Sequence, residues 1–132
     1  MKETIIIIII LILIFLGDYL IAKYLDNTST SLVSKLDSLE NNIIKLEESN
    51  SEGREKITKE IEDVKEEWNT IEEIWAIIVL HQEIDNIEIS LLKLESEIKY
   101  GELYEALEEL STAKFLVHHI EEKEKFNFKN IF

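Results

Sequence analysis

The sequence predicts an all-α protein: an N-terminal transmembrane helix followed by antiparallel long-helix hairpins that close into a small helical bundle. Three observations predict it. Proline is absent and glycine occurs three times in 132 residues, so few positions oblige a helix to stop. From Leu32 onward apolar residues recur at alternating steps of three and four, the period of one helix face. An unbroken apolar run, IIIIIILILIFL, occupies Ile5–Leu16.

That run alone has the length of a signal-peptide core. Continued through Tyr19 to Ala22, with Thr4 in front, it reaches about 28 Å as a helix, enough to cross the hydrocarbon of a bilayer. No small-x-small cleavage pattern follows, and there is no lipoprotein cysteine, so residues 1–25 are expected to form an uncleaved anchor: a short cytoplasmic end, then a span marked by Ile5, Leu16, Tyr19 and Ala22. Asp18 lies near one end of it and is expected to reach the headgroups, with Tyr19, Lys23 and Tyr24 as interface anchors. Lysines are too evenly distributed about the span to settle its direction. A short inner N-terminus with an extracytoplasmic domain is the preferred topology.

Asp26–Ser31, DNTSTS, is rich in capping and turn residues and reads as a linker or kink. The helical domain then occupies 32–120. Its first helix, about 32–49, carries the seam Leu32, Leu36, Leu39, Ile43 and Leu46, and Asn50–Gly53 ends it. The second, about 54–99, carries two seams: Ile57, Ile61, Val64, Trp68, Ile71, Trp75 and Ile78, then Ile77, Leu80, Ile84, Ile87, Leu91, Leu94 and Ile98. At about 100° per residue the second seam is centred roughly 150° round from the first. Residues 54–99 therefore form either one helix offering opposite faces or two helices broken near His81. Gly101 closes that unit, and a last helix, about 102–120, presents Leu103, Ala106, Leu107, Leu110, Ala113, Val117 and Ile120. The tail 121–132, EEKEKFNFKNIF, is aromatic and is expected to fold back on the domain or to dock elsewhere.

Charge and composition exclude several functions. With 28 acidic against 14 basic residues, the net charge of −14 repels nucleic acid and anionic lipid. The absence of cysteine removes disulfides, thiolate metal sites and thiol nucleophiles. No enzyme is expected, because Ser90 lies mid-helix without an oxyanion-hole turn beside it.

The polar cluster in LHQEIDNIEIS, Leu80–Ser90, needs separate weighing. If Gly101 turns an antiparallel pair, His118 and His119 come level with Gln82 and Glu83. His81, Asp85, Glu88 and His118 would then share one edge. Imidazoles with carboxylates suit a divalent transition metal, and the two histidines alone would repel once protonated below about pH 6.5. No HExxH and no paired Glu-x-x-His motif supports this. The plainer reading is a solvated helix flank. Trp68 and Trp75, at helical spacing, suit core or interface packing, and with Phe126, Phe128 and Phe132 they are the candidate contact residues.

The apolar N-terminus, the tryptophan-bearing helix, HQEIDNIEISLLKL at 81–94, EALEEL, AKFLVHHI and the terminal FNFKNIF together resemble the bacterial family called domain of unknown function 4363, from low-GC Gram-positive bacteria. The resemblance covers nearly the whole chain, most specifically its C-terminal two thirds. It implies a membrane-associated helical protein and carries over no functional residue. The expected function is a protein-protein interaction or structural component at the cell envelope, anchored in the bilayer, with a protein partner or self-association. The alternative is a metal-binding or pH-sensing domain at His81 and His118.

Overall fold

The computed structural model describes residues 1–46 and 51–131, with side chains as far as residue 125. The described residues form four helices: α1 (Lys2–Ile44), α2 (Ser51–Ile78), α3 (His81–Tyr100) and α4 (Leu103–Ile131). No strand occurs among the described residues.

The expected linker at Asp26–Ser31 is helical, so anchor and first bundle helix are one element of 43 residues. The hydroxyls that make this stretch look like a turn are directed back along the helix. Thr28 Oγ1 donates to the Tyr24 carbonyl at 2.8 Å, and Ser29, fully buried, donates to the Leu25 carbonyl. Such back-bonding satisfies a serine or threonine inside a helix as well as a cap would outside one. Composition could not separate the two cases.

Around the lower half of α1 the other helices form a square bundle. α1 packs on α2 and α4, α3 packs on α2 and α4, and among the described residues the backbones of the diagonal pairs stay apart. Cross-helix pairs give the directions. As α1 is followed from Asn42 to Lys35 to Thr28, the partner on α2 moves from Glu60 to Glu67 to Trp75, so the pair is antiparallel. α1 and α4 are antiparallel too, through Asp37 with Lys114 and Asp26 with Lys125. The topology is up-down-up-down, the arrangement that short connections favour.

Residues 54–99 divide into two helices. α2 and α3 meet at Val79 and Leu80, and Leu80 is extended (φ −62°, ψ 133°) with its carbonyl accepting from Glu83 and Ile84. Neither glycine nor proline marks the break; the mismatch between the two seams does. One continuous helix would turn Ile84 and Ile87 away from the core that Trp75 enters, and a single extended residue lets both seams face it. Ile77 and Leu80, counted with the later seam, are instead exposed.

α3 ends as expected on Gly101, left-handed at φ 80°, with Glu102 N–H donating to the Glu97 carbonyl at 2.9 Å. This is the six-residue closure that glycine permits without strain. α4 continues beyond the expected end at 120 as helix to Ile131. The side chains of Phe126 and Phe128, and all of Phe132, lie outside the described residues.

The core is continuous along the bundle. Leu25, Leu32, Leu36, Leu39 and Ile43 meet Ile57, Ile61, Val64, Trp68, Ile71 and Trp75 from α2, Ile84, Ile87, Leu91, Leu94 and Ile98 from α3, and Ala106, Leu110, Ala113, Val117 and Ile120 from α4. Trp68 and Trp75 meet edge to face, centroids 5.8 Å apart, and their indole N–H groups donate to Glu88 and Thr28 at 2.7 and 3.0 Å. Both are 1% exposed or less, so the two tryptophans are internal packing rather than a contact surface.

Candidate interaction surface

The edge on which the polar cluster was expected to converge is split between opposite sides of the bundle. On α3, Glu83 binds Lys123 and Ser90 binds Glu109, so that flank faces α4. Glu88 binds Trp68 and Glu95 binds Lys65, so the other flank faces α2. His81 lies two turns before Glu88, nearly beneath it at about 100° per residue, and belongs to the α2 flank with Asp85. His118 belongs to the flank of α4 that carries Lys114, Glu121 and Lys125, which faces α1.

His118 is 63% exposed and its imidazole neighbours are Glu121 and Glu122 of its own helix, at 3.9 and 3.4 Å. His119 stacks on Phe115, centroids 5.7 Å apart. Among the described residues no three His, Asp or Glu side chains gather in a way that could hold a metal ion. The shared edge of His81, Asp85, Glu88 and His118 is therefore corrected. The reason is handedness: the two histidines lie on the same rotational side of their seams, and in an antiparallel bundle that side pairs either α3 with α4, or α3 with α2 and α4 with α1. Periodicity fits both arrangements.

What the surface offers instead is an apolar ridge on α3. Ile89 and Leu92 are 51% and 46% exposed. On the α2 side Leu92 opens into a groove of about 450 Å³ shared with Thr58, Ile61, Ile98 and Tyr100. On the α4 side Ile89 borders a shallower groove of about 220 Å³ with Leu116 and Lys93. An apolar ridge between two grooves, rimmed by Glu62, Glu95 and Lys99, is the arrangement into which a partner helix packs. Exposure was the signal that the seams could not supply, since Ile89 and Leu92 lie off the core stripe.

Carboxylates crowd the same helices. Burial raises the pKa of Glu72, with Glu88 and Glu73 adding repulsion. Burial also raises Glu97, and Glu109, Glu102 and Glu105 add to it against the opposing Lys93. One Glu97 oxygen is buried without a hydrogen bond. Raised folded-state pKa values mean that these two carboxylates oppose folding while ionised and cease to do so once protonated. The melting temperature of the full chain in detergent should therefore rise as the pH falls from 7 toward the ordinary glutamate range of about 4.3. Glu72→Gln with Glu97→Gln should raise it at pH 7 and flatten that rise. Asp26 acts in the opposite sense: hydrogen bonding to Lys125 holds its pKa down, and its contribution is lost as the pH falls through that lowered value. A melting temperature that falls steadily from pH 7 to pH 5 would contradict the assignment of Glu72 and Glu97.

The fold and surface define a class: an all-α, four-helix bundle whose first helix extends N-terminally as an exposed apolar segment long enough to cross a membrane. The chain belongs to the family described as Domain of unknown function (DUF4363), whose sequence model matches residues 19–131. The match takes in the bundle and begins after the isoleucine run. No curated protein and no solved structure gives a significant match.

Proposed function

We propose that the protein is a single-pass membrane component whose bundle stands on the extracytoplasmic side and binds another envelope protein, or a second copy of itself, through α3. The observation that carries this reading is the half-exposed pair Ile89 and Leu92 between two grooves, on the helix diagonal to α1 and so directed away from the anchor helix. An apolar ridge rimmed by charged residues is a surface that gains from being covered. Its chemistry is that of packing; no catalytic role is assigned to it.

The test is capture from detergent-solubilised membranes with wild-type bait and with the Ile89→Glu, Leu92→Glu double variant. Both positions are half exposed, so the variant should melt within about 1–2 °C of wild type. The wild type should retain a partner or a second copy, and the variant should lose it. A bait recovered only as monomer in both cases would contradict the reading.

A further inference from the structure

We propose that the α2–α3 turn, with Leu80 at its tip and Ile77 one turn behind, inserts Leu80 into the headgroup layer of the leaflet that α1 leaves, giving the bundle a second contact with the lipid surface. The inference rests on the anchor reading and adds to it.

The antiparallel register supplies the height. Trp75 of α2 meets Thr28 of α1, and each residue further along α2 lies level with one residue earlier on α1. Ile77 comes level with Asp26 and Leu80 with Lys23. The exposed apolar length of α1 runs to Leu20; Ile21 and Tyr24 already pack against the bundle core, and Leu25 is buried. No linker separates span from domain, so Leu80 stands about 5 Å along the axis from the level of Leu20. The headgroup region on each side of the hydrocarbon is about 5–7 Å deep. Leu80 thus falls within it whenever α1 spans the bilayer, and Ile77, about 9 Å from the level of Leu20, stands at its outer edge.

The chemistry of the turn fits that depth. Ile77 is 84% exposed and Leu80 65%, the largest exposures of any isoleucine or leucine in the bundle among the described residues. No Asp, Glu, Lys or Arg occurs from Ile74 to Gln82 in a domain otherwise dense in carboxylates. The acidic residues that would repel an anionic surface are thus withdrawn from this end of the α2–α3 pair. At the other end of the bundle the α3–α4 turn carries Glu102 and Glu105 about exposed Tyr104. Two contacts with one surface fix the orientation of the bundle, and the ridge of Ile89 and Leu92 is held facing sideways along the membrane instead of swinging on a single helix.

Because the chain has no cysteine, single cysteines can be introduced and labelled with an environment-sensitive fluorophore at Leu20, Ile77, Leu80 and Tyr104. The full chain is reconstituted in vesicles of phosphatidylcholine with one fifth phosphatidylglycerol, with or without phosphatidylcholine spin-labelled near the headgroup. All four positions are exposed, so circular dichroism should be unchanged. The expected result is quenching at Leu80 of at least about half that at Leu20, less at Ile77, and almost none at Tyr104. Quenching at Leu20 without quenching at Leu80 overturns the inference and leaves the anchor reading standing. No quenching at any position overturns both. Blue-shifted emission at Leu80 without quenching means that protein covers the turn, and equal quenching at Tyr104 means that the bundle lies flat; either result overturns the inference.

Discussion

Replacing Trp75 with alanine is expected to lower the stability of the bundle by about 3–5 kcal/mol, the range for removing a fully buried aromatic side chain. Trp75 is 0% exposed, stacks edge-on against Trp68, and joins α2 to α1 through its indole N–H on Thr28. Alanine leaves a cavity where two helices meet and removes the donor from which Thr28 Oγ1 accepts. Domains of this size are stable by about 5–15 kcal/mol, so the loss is a large fraction of the total. Trp75→Phe, which keeps an aromatic ring and loses the hydrogen bond, should cost less. Chemical denaturation of the full chain in mild detergent measures both. A cost below about 1 kcal/mol for alanine would mean that Trp75 does not fill the core as described.

The second large effect concerns the span. Ile10→Arg with Leu13→Arg puts two guanidinium groups near the centre of the apolar segment, each costing about 2.5–3.5 kcal/mol on insertion scales. Both positions are at least half exposed and touch nothing in the bundle core. The double variant should therefore leave the membrane fraction while its helical content and melting temperature remain near those of the wild type. Unchanged membrane association would mean that something other than the apolar run holds the chain there.

Much of this architecture is legible in the sequence, and the parts that are not share a cause. The stripes from Leu32 to Ile43, Ile57 to Trp75, Ile84 to Ile98 and Ala106 to Ile120 face the core, with Leu107 and the flanking Leu46, Ile78 and Leu103 half-buried, because a three-and-four spacing has one physical use in a helical bundle. Gly101 closes α3 because its left-handed φ suits glycine. Periodicity is a property of one helix, however, and three features depend on more than one. Asp26–Ser31 stays helical with Ser29 buried against the other helices and Thr28 accepting from Trp75 on α2 while its hydroxyl donates back to Tyr24. The break at Val79–Leu80 arises because two seams must face one core. The partner of each flank follows from the handedness of the square, and for that reason His81 and His118 could be matched in rotation yet lie on opposite sides. The ridge at Ile89 and Leu92 was obscured for a similar reason: an exposed isoleucine becomes notable only once its neighbours show that the core is already filled.

Ile77 and Leu80 show the same limit. In the sequence they extend a seam; in the fold they form the tip of a turn at the level where α1 enters its apolar length. The inference about the turn and the proposal about α3 both depend on that apolar length remaining part of the mature protein. The intact mass of the chain recovered from alkaline-washed membranes tests this most directly. The account predicts the full 15.5 kDa chain in the pellet. A shorter chain lacking the isoleucine run, or a full chain released by the wash, would contradict it.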